Sequence, residues 1–219
     1  MKLEFNPDDP FPLIAEGEIT YAEEQVHAEK VDAHLGLEIA KIEAALVPPI
    51  AGDHQLWMGL PPKRMLTPYL EIRRLLDFLK PSRDQAVIDL GAGYGRMGFV
   101  MGRHFPESYW LGYEYVGERV GEGERALMRM GYARSRLVQT DLSDYRFTPR
   151  FADFYFLYDY GTREAIEKTV QDLKTISKNR SITVIGRGRA SRDAIERFHP
   201  WLSGVRAPEH FPHYSIYRS

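Results

Sequence analysis

Cysteine is absent from all 219 residues. That excludes a disulfide framework, thiolate metal ligands and a cysteine nucleophile, and it leaves the redox compartment open. Charge of one sign is not in excess either: 29 Lys and Arg against 31 Asp and Glu leave a formal net charge of -2. Such a chain exerts no overall pull toward nucleic acid or an anionic membrane. Long apolar runs are also lacking. The chain opens on "MKLEFNPDDPFPLIAEGE", with acids and prolines where a secretory signal would be apolar, and no later stretch approaches a membrane-spanning length. A cytoplasmic protein with no membrane partner is the expectation. There is no internal repeat or low-complexity tract, and no G-x-S-x-G elbow or Ser-His-Asp order.

Hydrophobic residues make up 43% of the chain and charged ones 27%, an ordinary balance for a soluble globular protein. The length suits one α/β domain with an extension but is short for two full domains. A dehydrogenase with its own substrate domain would be cramped. The pattern divides into an N-terminal helical extension with a Pro-rich connector (1–62) and a ligand-binding domain (63–219). In the extension, Thr20 and Glu23 have the spacing of a capping box. Val31, Leu35, Ile39, Ile42 and Leu46 continue one apolar face, which predicts a single helix from Tyr21 to Leu46 stopped by Pro48 and Pro49. Such a helix is a packing arm, a homo-oligomer contact or a cap over the active site. The connector "VPPIAGDHQLWMGLPPKRML" carries the apolar cluster Leu56, Trp57 and Met58, and loops of this length often form lids. Together with the helix before it, it is expected to border the substrate entrance. Then "TPYLEIRRLLDFLKP" predicts a helix with Thr67 as N-cap, Pro68 at its first position, and Ile72, Leu75, Leu76 and Leu79 inward.

From Ala86 onward the pattern alternates. Strand-like segments at Ala86–Leu90, Tyr109–Glu114, Arg136–Gln139, Phe154–Tyr158 and Ser181–Ile185 are separated mostly by helical ones, notably Gly117–Met130 and Arg163–Lys178. Repeated strand and helix units imply an α/β fold with a doubly wound, mainly parallel sheet and ligands at the carboxyl ends of its strands. The tail "SGVRAPEHFPHYSIYRS" has room for a terminal antiparallel hairpin.

The first strand runs into "AVIDLGAGYGRMGFV", which holds two glycine signatures at once. From Gly91 it reads G-x-G-x-G after an acid, a loop for a methyl donor. From Gly93 it reads G-x-G-x-x-G to Gly98, the dinucleotide pattern. Asp89 separates the two: a carboxylate just before the first glycine opposes a doubly negative pyrophosphate, whereas S-adenosylmethionine brings a sulfonium and an ammonium. Glu114 closes the second strand at the spacing where an acid accepts both ribose hydroxyls. Asp141 follows the third strand, where it can accept from an adenine amine.

In that order and spacing, "DLGAGYG", "GYE" and "QTDL" resemble the motifs of the class I S-adenosylmethionine-dependent methyltransferases, across the cofactor half of the chain. The resemblance implies a Rossmann-like, seven-stranded sheet and S-adenosylmethionine as cofactor. It assigns Asp89, Gly91, Ala92, Gly93 and Gly95 to the methionine part, Glu114 to the ribose and Asp141 to the adenine end, with Tyr115, Leu142 and Tyr158 beside them. A narrower likeness is to the seven-strand protein lysine methyltransferases, whose loops read "DLG-G-GR"-like before a "GYE" or "GIE" strand, after a helix opened by a tyrosine-containing turn, as in "TPYLEIRR". It carries over no substrate site.

Methyl transfer is an in-line displacement that needs proximity, orientation and a neutral nucleophile. In this fold the segment after the fourth strand, "FYFLYDYGT", lies beside the methyl group. It lacks the Asn/Asp-Pro-Pro-aromatic signature of many amino-group methyltransferases, which argues against the nucleic-acid adenine enzymes. The catalytic candidates are Asp159, as acceptor of a proton or hydrogen bond from an amine, and Tyr160, which like Tyr158 could form a cation–π wall for the sulfonium. The competing assignment puts Tyr158 in the core and makes Asp159 a helix cap. The expected acceptor is an amine or oxygen nucleophile, a protein side chain first, with RNA or a small molecule open. An NAD-dependent oxidoreductase and a cofactor-binding module without turnover are the alternative functions. Arg187 and Arg189, in the basic "KNRSITVIGRGRASRDAIERF", form a solvated surface or a site for an anionic substrate or nucleic-acid phosphate. His210 and His213 lack an accompanying ligand set, so no metal is expected.

Overall fold

In the computed structural model, which describes residues 3–47 and 57–219, the strands set what packs where. β1 (Ala86–Leu90), β4 (Phe154–Tyr158) and β5 (Thr183–Arg187) are almost entirely buried, as strands covered on both faces must be. β2 (Tyr109–Glu114) and β3 (Ser135–Gln139) complete the parallel run. β6 (Glu209–His210) and β7 (Tyr214–Arg218) add the expected antiparallel hairpin, giving a seven-stranded sheet in the order β3-β2-β1-β4-β5-β7-β6. Alternation along the strands sends Val87, Trp110, Phe156 and Ile185 to one face and Ile88, Leu90, Leu157 and Val184 to the other. The first face carries α4 (Tyr69–Leu79), α5 (Arg96–His104) and α6 (Gly117–Arg129); the second carries α7 (Arg163–Ser177) and α8 (Arg189–Phe198). Strand order reverses between β1 and β4, where open α/β sheets bind ligands.

The extension contributes α1 (Tyr21–His34), α2 (Ile39–Ala45) and α3 (Pro62–Met65). The capping box is present, with Thr20 N–H donating to Glu23 Oε2 at 2.8 Å and Glu23 N–H to Thr20 Oγ1 at 3.3 Å. The single helix expected over Tyr21–Leu46, however, is two. Gly36 adopts φ +62°, its N–H donates to Ala33 O at 3.0 Å, and Leu37 N–H donates to Asp32 O at 2.9 Å; these bonds close a helix in the left-handed manner. Arg125 holds the Gly36 carbonyl at 3.0 Å, and a Cβ at this position would lie 2.9 Å from the Arg129 guanidinium. Packing on α6 therefore imposes the break. The apolar period runs across it because Val31, Leu35 and Ile39 all enter the cluster that holds Tyr69, Leu76 and Val100. The expected stop at Pro48 and Pro49, and Leu56 of the apolar cluster, lie outside the described residues.

Two other boundary differences bear on the site, while β3, α6 and α7 shift by one residue at one end. Pro68, not Thr67, is the N-cap of α4, and the Thr67 carbonyl instead accepts from Arg96 Nη1 at 3.1 Å. β5 begins at Thr183, paired with Phe154, so Arg187 lies within the strand opposite Tyr158. Among the described residues no helix is long and apolar enough to cross a membrane.

Candidate active site

After β1 the backbone turns through Gly91, Gly93 and Gly95 at φ +86°, +56° and +76°, a region that strains any residue with a Cβ. Space is equally restrictive: a Cβ on Gly91 would lie 2.7 Å from Tyr160 Cβ, and one on Gly93 2.9 Å from Leu66 Cδ2. Gly98 has a different task. It lies inside α5, where a Cβ would fall 2.6 Å from the Trp110 ring, so the second triplet ends in helix-to-sheet packing. Four of the loop amides are already engaged. Gly91 and Ala92 donate to Tyr113 O at 3.0 and 2.9 Å, Gly95 to Ala92 O at 2.9 Å, and Gly93 to Glu114 Oε2 at 2.9 Å. These four donors are not available to cradle a pyrophosphate.

Asp89 is 5% exposed and has no hydrogen bond or ion pair among the described residues. It borders a cavity of about 30 Å³, shared with Thr67, Ala92 and Tyr158, which is room for about one water. Burial, and secondarily the Glu114 carboxylate, push its pKa from 3.8 to about 8. A cation entering here would supply the missing counter-charge and favour the ionised form. Glu114, at the end of β2, accepts from Gly93 on Oε2 and from Val116 N–H on Oε1 at 2.9 Å. A carboxylate has about four acceptor directions, so further donors can be bound. Asp141 follows β3 in a turn closed by Ser143 N–H at 2.8 Å.

Gly91, Gly93, Glu114, Tyr115, Asp141 and Leu142 line one cavity of about 210 Å³ with Tyr158, Asp159 and Tyr160. Asp89 and Ala92 border the smaller cavity beside it, and Gly95 lies behind the loop against Trp110. Across the mouth runs the segment 57–66. Trp57 Nε1 donates to Asp159 O at 2.6 Å, Arg119 Nη2 donates to Trp57 O at 2.7 Å, and Tyr158 Oη donates to Arg64 O at 3.1 Å. The connector thus borders the cavity as expected. The helix before it does not; α1 packs on α4 as an arm.

The reacting end differs from expectation. Asp159 sits at φ +33°; its Oδ1 accepts from Ser191 N–H at 2.7 Å and its Oδ2 from Ala190 N–H at 3.2 Å, while its own N–H donates to Ser191 Oγ at 2.9 Å. It caps α8 from the end of the neighbouring strand β4, and α7, the next helix, is capped by Thr162. Asp159 thus has a structural role, the helix cap of the competing assignment although on α8, while it also lines the cavity. Asp159→Ala should cost about 1–2 kcal/mol of stability, read as a thermal midpoint lowered by about 2–8 °C. Lost turnover at an unchanged midpoint would restore the catalytic assignment.

Tyr160 lines the cavity beside the loop: its Cβ packs on Gly91, its hydroxyl is buried without a partner, and burial pushes its pKa up. A side chain so placed offers wall, the part expected of it. Tyr158 stacks under the Arg187 guanidinium, 4.2 Å from the ring centroid, so one of its faces already meets a cation. Arg187 is not free for an anionic substrate, because its Nε donates to Glu71 Oε1 at 2.6 Å and its Nη2 to Glu71 Oε2 and Tyr21 Oη at 3.1 Å. The strand register that places it inside β5 is the cause. Arg189 is solvated, 3.6 Å from Asp193. His210 meets Ser215 Oγ at 2.9 Å, and the His213 ring packs at a tilt against Tyr21, centroids 4.6 Å apart. No group of three or more potential ligands is placed to hold a metal among the described residues.

No protein-family model matches the chain, and no curated protein does. Solved structures do. An RNA methyltransferase from Salinibacter ruber, in complex with S-adenosyl-L-homocysteine, is 19% identical over 70% of this chain and 91% of its own, with a TM-score of 0.50. TrmN from Thermus thermophilus is 16% identical over 70% of this chain and 48% of its own, at 0.54. The fold is that of the class I methyltransferases. A SAM-dependent O-methyltransferase from Thermotoga maritima shares it at 16% identity and a TM-score of 0.53, over 70% of this chain and 66% of its own. On this class I scaffold, the sequence pattern placed the Trp57 connector at the entrance but did not reveal Arg64 and Arg119 beside it, since their contacts run between residues 62 and 94 positions apart.

Proposed function

We propose that this chain is an S-adenosylmethionine-dependent methyltransferase acting on an amine or oxygen nucleophile. The observation that carries the proposal is Asp89, a buried, unpartnered carboxyl behind a glycine loop four of whose amides are already engaged. An anionic dinucleotide meets four engaged amides and an acid in place of a counter-charge there, whereas a ligand with an ammonium and a sulfonium meets an acid that lacks only a cation. The residues fit the cofactor in the order of their strands: Asp89 toward its cationic amino-acid end, Glu114 for ribose hydroxyls, Asp141 for the adenine amine, with Leu142 and Tyr115 as apolar walls. When bound, S-adenosylmethionine supplies an electrophilic methyl carbon. The chain's own work is then to orient the acceptor and exclude water, which the strap from Trp57 to Leu66 is placed to do.

Calorimetry with S-adenosylmethionine, S-adenosylhomocysteine and NAD tests this reading, and Glu114→Ala and Asp141→Ala are each expected to weaken sulfur-ligand binding by about tenfold, as for a lost charged hydrogen bond. NAD binding with no response to either sulfur ligand would overturn it. A cofactor-binding protein without turnover is the second reading, favoured by the structural engagement of Asp159. Transfer of a labelled methyl group into fractionated extract separates the two and asks whether a protein side chain, our first choice of acceptor, RNA or a small molecule is marked.

A further inference from the structure

Glu43 belongs to α2 and would pass for a solvated helix charge, yet its side chain is only 7% exposed. It receives three hydrogen bonds: from Arg119 Nε at 2.8 Å, from Arg119 Nη2 at 3.0 Å and from the hydroxyl of Tyr94, in the glycine loop, at 2.7 Å. Arg119 is itself buried and lies between two acids. Its Nη1 stands 3.8 Å from Glu114 Oε1, outside hydrogen-bonding distance, while Nη2 also donates to the Trp57 carbonyl. The guanidinium is thus held on the Glu43 side of the gap, and the Glu114 oxygens keep acceptor directions open.

From this geometry we infer that Glu43 is a positioning residue for the cofactor site: it holds Arg119 away from Glu114, and so keeps that carboxylate available for a ribose diol. The inference rests on the methyltransferase reading. Its physical basis is that a buried arginine deprived of one carboxylate turns to the nearest other, and here that is the carboxylate the ligand needs. A donor set of five N–H groups makes the move from 3.8 Å to a direct bidentate contact a matter of side-chain rotation. The N-terminal extension would then be part of the cofactor site through a residue that never touches the cofactor.

The test is a double-mutant cycle on S-adenosylhomocysteine affinity in the full chain, with the thermal midpoint followed in parallel. Glu43→Gln, nearly isosteric, is expected to weaken binding about tenfold; Arg119→Gln alone about threefold, through the Trp57 contact. The double variant should bind no worse than Arg119→Gln, because no guanidinium remains to occupy Glu114. A purely structural role would not show this rescue. Affinity of Glu43→Gln within twofold of wild type, or additive losses in the double variant, would overturn the proposal. Should Glu43→Gln fail to fold, the neutral double variant decides: affinity matching that of Arg119→Gln supports the proposal and a further loss overturns it. Wild-type protein that binds no sulfur ligand would instead overturn the methyltransferase reading beneath it.

Discussion

Asp89→Asn is expected to stabilise the ligand-free protein above neutral pH and to weaken S-adenosylhomocysteine binding about a hundredfold, the scale of a buried charge contact worth a few kcal/mol. Both effects have one cause. In the folded chain the Asp89 carboxyl has a pKa raised to about 8 by burial and by Glu114, against 3.8 when it is unperturbed. Between those values the folded state holds a proton that the unfolded state has released, so its contribution is fully present below about pH 4 and is lost as pH rises through 8. Asparagine keeps the shape and never ionises. Stability of the variant should therefore lack this decline, and the gap to wild type should widen from pH 6 to pH 9 by on the order of a few kcal/mol. Binding runs the other way: a cationic ligand needs the ionised form, so wild-type affinity should rise toward pH 8 and binding at pH 7 should release a proton. Titration calorimetry in two buffers of different ionisation enthalpy reads that proton directly. Affinity flat from pH 6 to 8.5, with no proton released, would show that Asp89 does not face the cation. Stability given up for a functional charge is a common exchange at binding sites.

What the sequence made legible was local. The capping box at Thr20 and Glu23, the strands, the terminal hairpin and the acids at successive strand ends all depend on short spacings, and the structure brings Gly91, Glu114 and Asp141 to one cavity. What was illegible depends on partners far along the chain. Gly36 ends α1 because Arg125 and Arg129 meet it from α6. Asp159 reads equally as a proton acceptor or a helix cap until the Ala190 and Ser191 amides, 31 and 32 positions later, are seen to donate to its oxygens. Arg187 reads as a surface charge until Glu71, 116 positions earlier, is found beside it. In each case a charged side chain has two outcomes, solvation or burial with a partner, and only tertiary contact decides between them.

Asp32→Ala is expected to be among the most destabilising single substitutions in the extension, at about 3–5 kcal/mol, the cost of leaving one member of a buried pair uncompensated. Asp32 on α1 accepts from Tyr69 Oη at 2.7 Å and from Arg96 Nε at 3.2 Å, with a second bond from Arg96 Nη2. The side chains of Arg96 and Asp32 are 5% and 9% exposed, so water cannot take over. Without Asp32, the guanidinium would keep the Thr67 carbonyl and the face of the Tyr69 ring, 5.0 Å from its centroid, but no opposite charge. For a chain of this length such a loss lowers the thermal midpoint by about 10 °C. Because Arg96 is the first residue of α5, directly after Gly95, the disturbance should also reach the glycine loop and reduce cofactor affinity. Replacing the pair by Asp32→Leu with Arg96→Met should recover most of the midpoint, since a buried ion pair exchanged for apolar side chains is close to neutral. If the double variant remained as unstable as Asp32→Ala, the pair's geometry rather than its charge balance would be what holds α1 to the loop.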